Sequence, residues 1–304
     1  MSFLENERAR QVSQRDQLFD DPGGGLFRQI PRPFVLANPL KNLFEPIRMD
    51  ALDYFRRNQI AWWNDHAKGP TGHLLSSQIA CLNHLFYLRD KQPLASVVLN
   101  CISNEFIQAE MVDDGYVEFE VVGQRNYLGE KSHHRGANAT SIDALMIGRK
   151  MDGRKCLVMI EWKYTEKYVG EDKYIPARAK IYDRLIMDPE SPLRVKDPQF
   201  IYFDPYDQLM RQTLLGWRMT ISREYGCGEY LHVHVIPQVN RELRLTNTSP
   251  SLVGSSMSEA WKSVLKQPEL YMVVTPESLF DVVKHLDSAR SLAAYLSARY
   301  WQPQ

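Results

Sequence analysis

The sequence predicts an α/β fold in which a mixed central sheet is flanked by helices, and three observations predict it. Apolar residues recur every three or four positions as far as about residue 106, then alternate from about residue 116. An Asp152-Gly153 step separates two of the alternating runs, which is the mark of a tight hairpin. A further helical period over 206–221 precedes another short apolar run, giving the order helix, three-stranded meander, helix, strand.

Residues 1–50 read as an arm packed on the core. A short charged segment leads to Asp21-Pro22-Gly23-Gly24-Gly25, and Pro31, Pro33, Pro39 and Pro46 interrupt any long element. From Met49 to Asn64 a first helix is expected, with Leu52, Phe55 and Trp62 on one stripe. A second runs from about Leu75 to Arg89, its stripe made by Ile79, Leu82, Leu85 and Phe86 after the breaker at 69–72. A third spans Leu94 to Phe106 through Val97, Val98, Cys101 and Ile102. Strands are expected over Tyr116–Val122, Ser141–Gly148 and Cys156–Tyr164, where Val, Ile, Met and aromatics concentrate. A long polar excursion leads to a helix over Tyr206–Ile221 and a strand over Tyr230–Pro237. Residues 51–245 thus form the core, and 246–304 extend it with helices near 257–266, 276–287 and 288–300 and a short strand at Leu270–Val274.

Composition limits the function classes. The 304 residues, 44% hydrophobic and 24% charged, describe a folded globular chain with room for a large core. Lys plus Arg equals Asp plus Glu at 37 each, so no global positive field draws the chain to nucleic acid, and such binding would rest on a local basic groove. Cys81, Cys101, Cys156 and Cys227 form no C-x-x-C pair, no apolar stretch approaches the roughly 20 residues a bilayer needs, and the N-terminus is charged. A reducing, cytoplasmic setting away from membranes is expected.

The chemistry concentrates in Leu157-Val158-Met159-Ile160-Glu161-Trp162-Lys163-Tyr164, where an apolar strand acquires a carboxylate and an amine two residues apart, hence on one face. Charges buried beside a sheet core cost several kcal/mol unless paired or bound to metal. Two readings follow, a bare ion pair or a strand end opening into a cleft. Counting outward from the Asp-Gly turn pairs residue 148 with 156 and brings Asp143 opposite about 161. Two facing carboxylates repel unless a hard cation lies between them, and Mg²⁺, with Mn²⁺ as substitute, is the expected occupant. Lys163 would orient a water or stabilise charge on phosphorus.

Asp143 followed by Glu161-x-Lys163 on the next strand resembles the PD-(D/E)xK superfamily of restriction-endonuclease-like nucleases. The runs Gly72-His73-Leu74-Leu75-Ser76-Ser77-Gln78-Ile79-Ala80-Cys81-Leu82-Asn83-His84-Leu85-Phe86 and Ile160-Glu161-Trp162-Lys163-Tyr164-Thr165-Glu166 resemble a bacterial family of restriction-endonuclease-like proteins, over the chain from about residue 50 onward. The resemblance implies a restriction-endonuclease-like core and a Mg²⁺-dependent endodeoxyribonuclease. Asp143 and Glu161 would bind metal, the Trp162 carbonyl would add a ligand, and Lys163 would assist catalysis. The proline that usually precedes the aspartate is replaced by Ile142. DNA is the expected partner, with RNA and a homodimer left open. An inactive nuclease scaffold that binds nucleic acid or protein is the alternative, and an enzyme for another phosphorylated substrate is a third reading.

Supporting residues carry two readings each. Glu120 is the best candidate for a further acid, with Glu118 and Glu105 as rivals; a solvated strand face is the duller reading. Gln208 and Gln212, one turn apart, either orient water and phosphate or lie on an exposed helix face. Ser76, Ser77, Gln78 and Asn83 either line the cleft or, for the serines, cap a helix. His232 and His234 share a strand face but lack a third zinc ligand, so packing is expected. His133-His134-Arg135 either touches phosphates or, as the better reading, forms a solvated loop. Tyr164, Lys167, Tyr168, Lys173, Tyr174, Arg178, Lys180 and Arg184 interleave charge with aromatics, as a nucleic-acid groove or a charged surface loop would.

Overall fold

In the computed structural model, which describes residues 2–63, 69–135 and 139–301, the Asp-Gly step does what its chemistry requires. Gly153 takes a left-handed φ of 83°, Lys150 N–H donates to the Arg154 carbonyl at 2.8 Å, and two strands fold back on each other. The elements in chain order are α1 (Phe3–Phe19), β1 (Leu26–Phe27), β2 (Ile30–Pro31), α2 (Arg48–Arg57), α3 (Ser77–Leu85), α4 (Gln92–Ile102), β3 (Phe106–Glu110), β4 (Glu118–Val121), β5 (Ile142–Lys150), β6 (Lys155–Trp162), α5 (Pro176–Ile186), α6 (Tyr206–Ile221), β7 (Glu229–Val235), α7 (Arg241–Arg244), α8 (Met257–Ser263), β8 (Tyr271–Val274), α9 (Pro276–Leu279) and α10 (Arg290–Arg299).

Six strands make one mixed sheet in the order β3-β5-β6-β7-β8, with β4 also paired to β5. Pairings β3/β5, β4/β5 and β5/β6 are antiparallel, whereas β6/β7 and β7/β8 are parallel. Alternate side chains feed two apolar layers. Ala144, Met146, Val158, Ile160, Val233 and Val235 pack against α2, α3, α4 and α10, while Leu145, Ile147, Leu157 and Met159 pack against α5, α6 and α8. This is the α/β architecture predicted, a mixed sheet flanked by helices. Among the described residues no helix is long and apolar enough to cross a membrane.

Four elements differ from expectation. The arm contains a 17-residue helix, α1, opened by a capping box in which Ser2 Oγ accepts from Glu5 N–H and Glu5 in turn accepts from Ser2 N–H. Its buried face carries Glu7 and Gln11 beside Phe19, so hydrophobic periodicity does not reveal it. The polar excursion after β6 holds α5, with Ala179, Tyr182, Leu185 and Ile186 turned inward. Phe106 begins β3 rather than ending a helix. The first helix also stops at Arg57; Trp62 lies beyond it yet stacks on Phe55 at 3.9 Å, and Asn64 lies outside the described residues.

Candidate active site

The β5/β6 ladder runs from Arg149↔Lys155 to Ala144↔Ile160, so Asp143 comes opposite Glu161 one rung further on. There the regular pairing gives way to side-chain chemistry. Asp143 Oδ2 accepts the Trp162 backbone N–H at 2.8 Å, taking the place of a strand carbonyl. On the other edge of β5 the register Phe119↔Ala144 and Val121↔Ile142 sets Glu120 beside Asp143, and the parallel register sets Glu161 beside His234. Glu120, Asp143, Glu161 and His234 therefore form one rung across four strands.

Glu161 is 1% exposed and turns toward α6, as do Leu157 and Met159 before it. The helix comes close because residue 216 is glycine: a Cβ there would stand 2.2 Å from Met159 Sδ. One turn earlier, Gln212 Nε2 donates to Glu161 Oε2 and, at 2.9 Å, to the Ser141 carbonyl. Gln212 Oε1 can only accept, so His232 Nε2–H donates to it at 3.2 Å, and the Thr213 hydroxyl donates to His232 Nδ1 at 3.3 Å. Gln208 Nε2 donates to Glu161 Oε1 at 2.7 Å while its own oxygen accepts from Lys163 Nζ at 2.8 Å. Lys163 closes the circuit with an ion pair to Glu161 Oε1 at 2.5 Å.

Electrostatics separates the partners. Burial, then the charges of Glu161 and Glu120, pushes the Asp143 carboxyl well above the ordinary aspartate range. Burial works against the Lys163 ammonium, but the charges of Glu161, Tyr168, Glu166 and Asp143 outweigh it and hold its pKa well above the usual value. Glu120 is raised mainly by burial, against which the hydrogen bonds from Gln78 Nε2 (3.0 Å) and Ser141 Oγ (2.9 Å) act. Its backbone φ of 52° is left-handed, rare for a residue with a long side chain. Strand alternation slips there, so that Phe119 joins the layer of α3 while Val121 joins that of α6.

The family model described as restriction endonuclease associating with ARP matches residues 11–301. The chain belongs to that family. The match reaches back into α1, so the family takes in the arm as well as the sheet and helices that the sequence resemblance covered from about residue 50. No curated protein and no solved structure matches the chain. Family membership brings a nuclease-type function and a restriction-endonuclease-like fold with it, and the mixed sheet with helices on both faces agrees.

Within this family member the other candidates sort by contact. Gln208 and Gln212 both meet Glu161, and Gln212 is buried, which removes the exposed-face reading. Gln78 reaches the rung through Glu120, whereas Ser76 is the N-cap of α3, its Oγ accepting from Ile79 N–H at 3.3 Å; Ser77 follows as the first residue of that helix. Asn83 is a buried strut, bonded to the Phe44 amide, the Asn42 carbonyl and the Tyr300 hydroxyl. Glu118 does not share a face with Glu120, because Glu120 itself is left-handed and turns its side chain away. It is held instead by Tyr54 (2.6 Å), Arg89 (2.5 Å) and Arg135 (3.5 Å). Arg135 is thus tied into this ion cluster and not in a solvated loop. Glu105 pairs with Lys150 at 2.9 Å near the hairpin turn, away from the rung.

His232 and His234 pack, as expected; His234 Nδ1 meets the Tyr271 hydroxyl at 3.0 Å. The basic stretch largely resolves into local pairs: Lys167 with Glu242, Lys173 with Glu171, Arg184 with the Leu128 carbonyl. Arg178 differs. From α5 it meets the buried Asp207 at 2.6 Å, where Arg211 of α6 also arrives at 3.2 Å while reaching Thr140 Oγ1 at 3.2 Å. Ser141 and Arg211 were not anticipated from the sequence. Their signals are position alone, two residues before Asp143 and between the two glutamines.

Proposed function

We propose that the chain is a metal-dependent nuclease that hydrolyses phosphodiester bonds of DNA, with Asp143, Glu161 and Lys163 acting as in the PD-(D/E)xK superfamily. One observation carries this reading: carboxylates from adjacent antiparallel strands meet on one rung, with the Lys163 amine beside them, in a chain of a restriction-endonuclease family.

The residues fit a hard divalent cation. Their donors are oxygens, and the mutual repulsion that raises the Asp143 carboxyl is what a positive ion would relieve. Among the described residues no group of three or more His, Cys, Asp or Glu side chains is arranged to hold a metal. Mg²⁺ takes one or two carboxylates and fills its octahedron with water, so the pair Asp143 and Glu161 is the protein's share of such a site. Asp143 and Glu161 would hold the ion, with the carbonyl of Trp162, the residue after Glu161, as a further oxygen. When bound, Mg²⁺ supplies charge neutralisation of the carboxylates and polarisation of the phosphoryl group.

The chain's own groups supply the rest. Lys163 is held protonated, so its task is to orient the attacking water and offset negative charge developing on the phosphoryl oxygens, not to act as a base. Gln208 fixes the ammonium and Glu161 relative to each other. Arg178 and Arg211, gathered at Asp207, add positive charge on the α6 side for neighbouring phosphates.

The test is incubation of purified protein with supercoiled plasmid and Mg²⁺ or Mn²⁺. Lys163→Ala is expected to cut nicking by about a hundredfold or more. Equal nicking by that variant ends the proposed role. A second reading, an inactive scaffold, is favoured by the closed circuit of Glu161, Lys163, Gln208 and Gln212, which satisfies the acid without metal. Calorimetric titration separates the two, since a scaffold would bind no Mn²⁺ and an intact site would lose its Mn²⁺ binding in Asp143→Ala.

A further inference from the structure

The β1–β2 hairpin is a built element with exposed aliphatic side chains. Its strands are two residues each and, among the described residues, pair only with each other, Leu26↔Pro31 and Phe27↔Ile30. A hairpin that short has little stability of its own. It is held from below by aromatic packing: Phe27 lies 4.9 Å from His73, 6.3 Å from Phe34 and 6.2 Å from the stacked Trp63 ring. Backbone bonds lock its base, Gly25 N–H to the Val35 carbonyl at 3.0 Å and Arg32 N–H to the Gly25 carbonyl at 3.0 Å.

Its tip is strained without visible return. Arg28 and Gln29 both take left-handed φ, 51° and 63°, in a turn that normally recruits Asn and Gly. Among the described residues neither side chain has a hydrogen-bond or ion-pair partner; the Arg28 guanidinium only leans over the Phe27 ring at 5.4 Å. Leu26 and Ile30 beside them are 57% and 49% exposed. Between residues 23 and 33 there are two arginines and no acid, although the chain as a whole is neutral.

The hairpin also adjoins the rung. Trp63, on which Phe27 stacks, donates its backbone N–H to Gln78 Oε1 at 2.9 Å, and Gln78 Nε2 donates to Glu120. Three contacts, through Trp63 and Gln78, therefore link the hairpin to Glu120, on the α3 side of the sheet, opposite the arginines of α5 and α6.

We infer that this hairpin is a duplex-DNA contact element, in which Arg28 meets backbone phosphate while Leu26 and Ile30 press against a groove wall or base step. Exposed aliphatic residues flanked by arginine on a rigid tip are the chemistry of groove-inserting wedges. The exposed apolar side chains, Leu26 and Ile30 on opposite faces of the hairpin and Trp63 beside Phe27, are too scattered for a protein partner. The inference rests on the nuclease reading above, and the experiment separates them.

Full-length protein is titrated into a fluorescein-labelled duplex of about 30 base pairs without divalent ions, followed by anisotropy at several salt concentrations, and nicking is measured in parallel at saturating plasmid. Arg28→Ala and the double variant Leu26→Ser with Ile30→Ser are compared with wild type. All three side chains are exposed, and an unchanged unfolding temperature confirms the fold. The expected result is a roughly tenfold weaker Kd in each variant, with the log–log salt slope reduced by about one for Arg28→Ala and the maximal nicking rate retained. Wild-type nicking with unchanged Kd in both variants overturns the hairpin's role and leaves the nuclease reading standing. Equal losses on a single-stranded oligonucleotide also overturn it, because the partner is then not a duplex. A wild-type chain that neither binds nor nicks takes down both.

Discussion

Replacing Asp143 by Asn removes one negative charge from a buried rung while keeping the shape and the acceptor that the Trp162 N–H needs. Because burial and the charges of Glu161 and Glu120 raise the Asp143 carboxyl, the folded wild type binds this proton more readily than the unfolded chain does. The sign follows from linkage: above the free aspartate pKa of about 3.9 the folded state holds more protons, so wild-type stability falls as pH rises toward the raised value. The loss is about 1.4 kcal/mol per pH unit, and at pH 6, two units above the free value, it reaches a ceiling of about 3 kcal/mol. Asn cannot incur it. In EDTA, Asp143→Asn is therefore expected to be more stable than wild type, by an amount that grows from pH 5 to pH 6.

Urea unfolding at pH 5 and pH 6 measures this directly, and a second arm with Mn²⁺ closes most of the gap at pH 6 and reverses the ranking at pH 5. An ion bound only to the folded wild type adds RT ln(1 + [L]/Kd), about 2.7 kcal/mol at a hundredfold excess over Kd, which the variant should not gain. A variant less stable than wild type in EDTA at both pH values would refute the reasoning, since the carboxylates would then not be repelling one another. A variant that gains as much from Mn²⁺ as wild type would remove Asp143 from the metal site.

Two further predictions concern the shell around the rung. Gln212→Leu leaves Glu161 Oε2, the Ser141 carbonyl and the His232 N–H without their partner, and at about 1–3 kcal/mol for each buried orphan a loss of about 3 kcal/mol or more is expected in urea unfolding; a loss below about 1 kcal/mol would mean that other donors replace it. His84 lies tilted against Trp162 at 4.6 Å, donates from Nδ1 to the Ala80 carbonyl at 2.7 Å, and among the described residues leaves Nε2 without a hydrogen-bond partner. Burial, with some help from Arg299, lowers its pKa to about 3, so below the free value of about 6.5 the unfolded chain takes a proton that the folded chain refuses, and stability drops as pH falls. His84→Phe should lose about 2 kcal/mol less than wild type between pH 6.5 and 5, and an identical slope in both proteins would show that His84 titrates freely.

What could be read from sequence was whatever local patterning dictates. The Asp-Gly turn fixes the hairpin register, and register alone brings Asp143 to Glu161. The 3.6-residue period puts Gln208 and Gln212 over Glu161 once α6 lies on β6, and Tyr206–Ile221 was predicted with the bounds observed. What local patterning does not dictate was missed. The inward face of α1 is polar because Glu7 accepts from the Tyr164 hydroxyl, and Gln11 Nε2 reaches the same hydroxyl at 2.9 Å, partners more than 150 residues away in sequence. The signal for α5 was present in Pro176 and the spacing of Ala179, Tyr182, Leu185 and Ile186, but basic residues between them read as a loop. Glu118 and Glu120 were placed on one face by a rule of alternation that a single left-handed residue breaks.

That break is also what assembles the site. On β5, Ala144 and Met146 face the α3 layer, yet Ile142 joins the α6 layer; on β4, Phe119 and Val121 part in the same way. Both slips fall on the rung of Glu120 and Asp143, so the two strands twist away from their cores together. With regular alternation Glu120 would lie over the face that holds Glu118, inside an ion cluster already neutralised by Arg89 and Arg135. The left-handed turn at Glu120 carries it instead to Gln78 and Ser141, where no arginine answers it and its charge adds to those of Asp143 and Glu161. A fold selected only for stability would pair that carboxylate or replace it. On the proposed reading, a divalent cation at Asp143 and Glu161 would relieve the repulsion that now raises the Asp143 carboxyl, and Lys163 would stand beside it.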